Sequence, residues 1–197
     1  MARVNETKQN MINAALELFH KQGVNATSID QILARSDTGK SQFTYYFQNK
    51  DGLIRATIHF LAEVIKNGRA ETGYEINTWS DMENWFETYI QFQKSVDFEL
   101  SCPLGTIAND LSNDQELLRQ EVRLFLEWCR GKIARFFAER KAAGELDNKV
   151  NPDSLADFCI SIMQGGMLLT KMKRESDMFE NAAKEAIQYL RMLRKKK

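Results

Sequence analysis

The chain has 197 residues, 43% hydrophobic and 27% charged, with 27 Lys and Arg balancing 27 Asp and Glu. Such a composition excludes a disordered tail and a whole-surface polyanion binder, and it suits one or two globular domains. Two prolines and ten glycines are too few turn signals for a many-stranded sandwich or barrel. No stretch approaches 18 uninterrupted apolar residues, so no membrane-spanning helix is expected. The first residues, Met1 to Glu6, lack the apolar core of a secretory signal. Cys102, Cys129 and Cys159 are odd in number and far apart, arguing for a reducing compartment with neither disulfide framework nor zinc ribbon. The expectation is an all-α cytoplasmic protein.

In chain order, Ile12, Ala15, Leu16 and Phe19 share one helical face, with Lys21 and Gly23 as stop signals. Thr27 then reads as an N-cap with Asp30 three residues on, and Ile29, Ile32 and Leu33 as the face of a second helix ending near Arg35. Ser36-Asp37-Thr38-Gly39 is a turn by composition. A third helix follows from about Lys40 to Phe47, and Asn49 caps a fourth reaching about Asn67. Further helices are predicted from about Ser80 to Val96, Pro103 to Leu111, Asp114 to Ala143, Asn151 through Lys173, and Met178 to Leu193, about nine in all. Three short helices within fifty residues, the last two joined by a tight turn, have helix-turn-helix spacing. These fifty residues carry six Lys or Arg against four Asp or Glu.

The run Thr27-Ser28-Ile29-Asp30-Gln31-Ile32, then Thr38-Gly39-Lys40-Ser41-Gln42-Phe43-Thr44-Tyr45-Tyr46-Phe47, then Asn49-Lys50-Asp51-Gly52-Leu53, resembles the DNA-binding region of the tetracycline-repressor (TetR) family. The likeness extends over about residues 8–65; beyond that it is one of length and helical character. The sequence departs from the family's pattern in two places. The turn is Ser36-Asp37-Thr38-Gly39 where the family often has Ala-Gly-Val-Ser, and Thr44 replaces the aromatic common in mid-helix.

The resemblance implies a helix-turn-helix domain at residues 1–48 and a helical-bundle ligand-binding and dimerisation domain at 49–197. On that reading Gln42 suits adenine, and Ser41 and Thr44 a base edge, phosphate or thymine methyl. Tyr45, Tyr46 and Lys50 suit phosphates, and Thr27, Ser28 and Lys40 complete the expected DNA-binding set. The resemblance also implies a cavity for a small hydrophobic effector among the middle helices, with Trp85, Phe86, Tyr89, Phe125, Cys129, Met163 and Met167 as its candidate lining. A homodimer interface is implied on the last two helices, at Phe158, Ile162, Gly165, Gly166, Leu169, Ile187, Leu190 and Leu193. An interior Gly costs roughly 1 kcal/mol relative to Ala, so Gly165-Gly166 calls for a close helix approach or a kink.

His20 and His59 have no Cys or His partner at ligand spacing, and no G-x-S-x-G, H-E-x-x-H or phosphate loop occurs. The expectation is therefore no metal, no cofactor and no catalytic residue. The leading reading is a repressor of double-stranded operator DNA, released by an apolar ligand. Two alternatives stay open: a helix-turn-helix regulator without ligand control, and a helical-bundle enzyme or adaptor with a vestigial motif. Lys195-Lys196-Lys197 reads as a solvated tail.

Overall fold

A computed structural model describes residues 2–70 and 72–195 of the chain; Lys196 and Lys197 of the expected tail lie outside them. Nine helices follow one another among the described residues: α1 (Ala2–Gln22), α2 (Ile29–Ser36), α3 (Lys40–Phe47), α4 (Lys50–Lys66), α5 (Trp79–Ser95), α6 (Pro103–Asp110), α7 (Glu116–Ala142), α8 (Pro152–Lys173) and α9 (Asp177–Leu193). Extended pairing among them is limited to one isolated bridge between Leu146 and Arg194.

Local chemistry explains several of the helix starts. Asn49 accepts from the Gly52 N–H at 2.9 Å, and Asn151 from those of Asp153 and Ser154, satisfying donors that a helix start leaves over. Pro103 and Pro152 occupy first turns, where a missing N–H costs nothing. The cap of α2 differs from expectation. Ser28, not Thr27, accepts from the Gln31 N–H, while Gln31 Oε1 accepts from the Ser28 N–H at 2.8 Å. Thr27 is drawn inward, donating its hydroxyl to the Gly23 carbonyl at 2.6 Å.

Contacts divide the chain into two compact units, and not at residue 48. The first comprises the residues up to Val64 with Cys102–Leu124. Its core joins Met11, Ala15 and Phe19 of α1, Ile32 of α2, Phe43 and Phe47 of α3, Leu53, Ile54 and Ile58 of α4, and Ile107 of α6. Each of these side chains larger than Ala15, fully buried, contributes about 1.5–3 kcal/mol. The helix-turn-helix thus rests on α4, α6 and the first turns of α7. The second unit, Ile65–Ser101 with the chain from Phe125 onward, packs α8 on α9 and α5 on both. Its core includes Met82, Phe86, Ile133, Phe136, Phe137, Cys159, Met163 and Phe179.

Candidate nucleic-acid interface and ligand core

The turn between α2 and α3 is built without a left-handed glycine. Asp37 takes that conformation (φ 51°, ψ 53°), which Asp tolerates better than most residues. Ser36 gives its hydroxyl to the Ile32 carbonyl at 2.7 Å and sits 2.7 Å from the Thr38 hydroxyl. Gly39 opens α3 with φ −107°, ordinary extended backbone. The departures Asp37 and Gly39 therefore leave the motif intact.

Phe43 and Phe47 point α3 into the core, which turns Lys40, Ser41, Gln42, Thr44 and Tyr45 to solvent on the opposite side. Tyr45 is 78% exposed and stacks edge-on against half-buried Tyr46. Gln42 has a second task, because its Oε1 accepts from the Gly39 N–H at 3.0 Å and closes the helix start. Lys40 pairs with Asp30 at 3.1 Å, and Thr44 gives its hydroxyl to the Lys40 carbonyl.

Two expected DNA contacts are placed differently. Thr27 is 1% exposed and spent on Gly23, so its hydroxyl cannot reach a nucleic acid. Lys50 donates to the Val24 carbonyl at 2.6 Å, tying α4 to the turn before α2. Burial pulls the Lys50 pKa below the ordinary lysine range, against the carboxylates of Asp110 and Asp51 that push it up. The same turn is held from α6: Asp110 accepts from the Asn25 N–H at 3.0 Å, and the Asn25 amide donates to the Asp110 carbonyl at 3.1 Å. Sequence spacing could not disclose this clasp, whose halves lie 85 residues apart.

In the second unit all seven expected ligand residues are buried: Trp85, Phe86, Tyr89, Phe125, Cys129, Met163 and Met167. Trp85 meets Phe86, Tyr89 and Tyr74 in tilted or edge-on pairs with centroids 5.0–5.8 Å apart. Gln93 and Thr170 join this interior and were not expected there. The signal for Gln93 was its spacing, in register with Trp85 and Tyr89 on the apolar face of α5.

The expected interface residues divide. Phe158, Ile162, Gly165 and Leu169 recur along one half-exposed stripe of α8, with exposed Met172 one turn on. On α9, Leu193 is half-buried beside exposed Tyr189 and Met192, and Tyr189 packs edge-on against Phe158. Gly166 and Leu190 belong instead to the core. A Cβ on Gly166 would run into the Phe179 ring, so this glycine serves the close approach of α9 within the chain. Ile187 turns toward α5, lining a groove with Phe86 and Ile90.

No group of three or more metal-ligating side chains forms among the described residues, and no helix there is long and apolar enough to cross a membrane.

Comparison with known proteins places these features. Residues 11–57 match the family described as bacterial regulatory proteins, tetR family, and residues 80–186 match the tetracyclin repressor-like C-terminal domain. An uncharacterized HTH-type transcriptional regulator in the lacX 3' region of Lactococcus lactis is 27% identical over 186 residues, covering 89% of this chain and 88% of its own. The HTH-type transcriptional repressor DhaR of Mycobacterium sp. is 23% identical over 180 residues, covering 90% and 88%. The crystal structure of a TetR transcriptional regulator from Chloroflexus aurantiacus superposes with a TM-score of 0.83 at 22% identity, over 98% of each chain.

Proposed function

The chain belongs to the tetR family of bacterial regulatory proteins, and on that footing we propose that two copies set α3 into successive major grooves of an operator and withdraw when an uncharged small ligand enters the second unit. It is a helix-turn-helix transcriptional regulator and not an enzyme; regulators of this family bind operator DNA and act as dimers. The observation that carries the reading is the two-sided α3, with Phe43 and Phe47 in the core and Ser41, Gln42, Thr44 and Tyr45 facing out. The Gln amide can donate to the N7 acceptor and accept from the N6 amino donor that adenine presents in the major groove, while Ser and Thr serve base edges or phosphates. Two such helices must stand about 34 Å apart, or a multiple of that, to read one face of the duplex. The stripe Phe158, Ile162, Gly165, Leu169 and Met172, with Tyr189, Met192 and Leu193, is the dimer surface in this reading. A repressor role is supported by the likeness to DhaR, a transcriptional repressor.

The test is retention of genomic DNA fragments by the purified protein, followed by gel shifts at graded salt. Recovery of one two-fold symmetric sequence, bound at least a thousandfold tighter than random DNA, is the expected result. Uniform binding to all fragments would overturn it. Adding small apolar compounds to the same shift tests the release.

A further inference from the structure

We infer that the interior of the second unit is built for an uncharged ligand that carries a hydrogen-bond acceptor and a donor, such as a carboxamide, on an apolar body. This deepens the effector reading above and rests on it. The buried face of α5 runs Met82, Trp85, Phe86, Tyr89, Ile90, Gln93, and it packs on α8, whose buried face includes Met163, Met167 and Thr170. Among the described residues four buried polar side-chain atoms have no protein partner, and three of them lie on these two helices: Trp85 Nε1, Gln93 Oε1 and Thr170 Oγ1; the fourth, Arg140 Nε, is on α7 in a guanidinium already paired with Glu145. The first three belong to residues 4%, 0% and 0% exposed. Natural interiors leave few polar groups in that condition, and each calls for an explanation.

Neither Gln93 nor Thr170 is explained by local bonding. The Gln93 amide nitrogen donates to the carbonyls of Leu100 at 2.9 Å and Met167 at 3.3 Å. Reversing the amide would set its oxygen against two carbonyl oxygens, so Oε1 is the atom left over. Thr44, Thr57, Thr88 and Thr106 each give their hydroxyl to the carbonyl four residues earlier. Thr170, in the same helical setting, does not. An indole N–H only donates, a carboxamide oxygen only accepts, and a hydroxyl does either. The complement is a molecule with both an acceptor and a donor. It is also uncharged, because no Asp, Glu, Lys, Arg or His is buried among the described residues. An ion inside would have no countercharge and would keep the full cost of leaving water.

The probes are four compounds on one skeleton: 3-phenylpropanamide, 3-phenylpropanoate, 3-phenylpropylamine and butylbenzene. Each is titrated into the full-length protein, reading the melting temperature and operator release. The amide should bind about tenfold more tightly than the other three. Thr170→Val keeps shape and removes one polar atom; Trp85→Phe removes the indole N–H but leaves a smaller ring and a void that costs stability. Thr170→Val should raise the melting temperature of the free protein, and both variants should erase the amide's advantage; a gain in stability joined to a loss of amide binding at Thr170 is not what a purely structural role produces. If butylbenzene binds as well as the amide and the variants leave the ranking alone, the polar anchoring is wrong and the effector reading stands. If none of the four binds at any concentration, both fall.

Discussion

Lys50 closes the first turn of α4 onto the Val24 carbonyl at 2.6 Å, so the cation expected at a phosphate is a strut between α4 and the turn before α2. Losing a hydrogen bond from a charged donor costs about 1.5–3 kcal/mol. Lys50→Ala should lower the melting temperature and weaken binding to all DNA sequences alike. The slope of log affinity against log salt should change by well under the ~0.9 that one phosphate contact carries. A change of a full unit in that slope would return Lys50 to the phosphate backbone.

Gln42 does two things with one amide, and a substitution can separate them. Glu retains an oxygen for the Gly39 N–H and adds a favourable charge at the start of α3. It lacks the donor that adenine requires. Gln42→Glu should therefore keep the melting temperature of the parent while the preference for the operator over a base-substituted site falls by about 1–3 kcal/mol. Because the carboxylate repels every DNA equally, the ratio of the two affinities is the quantity to measure. An unchanged ratio removes Gln42 from base reading.

The adjacent glycines of α8 should behave oppositely. Gly166→Ala drives a methyl group into Phe179 and should cost about 1–3 kcal/mol of stability. At Gly165 nothing lies within 4 Å of an added Cβ. Gly165→Ala should be neutral or stabilising by up to about 1 kcal/mol in a chain that stays dimeric. Chemical denaturation of both variants decides the point, and equal losses would refute it.

A charge on the proposed dimer stripe should separate assembly from folding. Leu169→Asp and Met172→Asp should retain the helical circular dichroism of the parent, sediment as monomers and lose operator retention at ordinary concentrations. Ile187→Asp, on the side of α9 that faces α5, should remain dimeric. Dimers of the first two variants would move the interface elsewhere.

Arg191 grips Glu83 through both carboxylate oxygens, joining α9 to α5. That hydrogen bonding, with the charges of Arg191 and Arg194, holds the Glu83 pKa below its ordinary 4.5, although partial burial opposes it. A carboxylate with a depressed folded pKa contributes stability that is complete above the unfolded value and is lost as pH falls through the folded one. The melting temperature should therefore decline more steeply below pH 4.5 in the parent than in Glu83→Gln. Parallel declines would mean that the pair adds nothing.

Where a boundary is set by its own neighbours, the sequence was enough to read it. The limits of α3 and α8 coincide with expectation because Gly39 and Asn151-Pro152 carry the start signals themselves. Thr27 and Ser28 are both capping residue types, and the choice between them is made by the Gly23 carbonyl, which takes the threonine. Gly166 and Ile187 lie on helices with apolar residues on several sides, so only the arrival of Phe179 and α5 decides which way each faces. Gln93 was hidden for the same reason, since Leu100 and Met167 supply its partners.

Gly23 combines two constraints that ordinarily occur apart. Its φ of 88° is left-handed, and a Cβ there would lie 2.6 Å from the Asp110 carboxylate that secures Asn25. Asparagine, the usual stand-in for glycine in such a conformation, would therefore displace that carboxylate and loosen its hold on Asn25. In a library covering every position of the first unit, residue 23 should favour glycine, although it contributes no side chain of its own. A scan by alanine, which probes what side chains supply, would register this site as a backbone failure of the turn between α1 and α2.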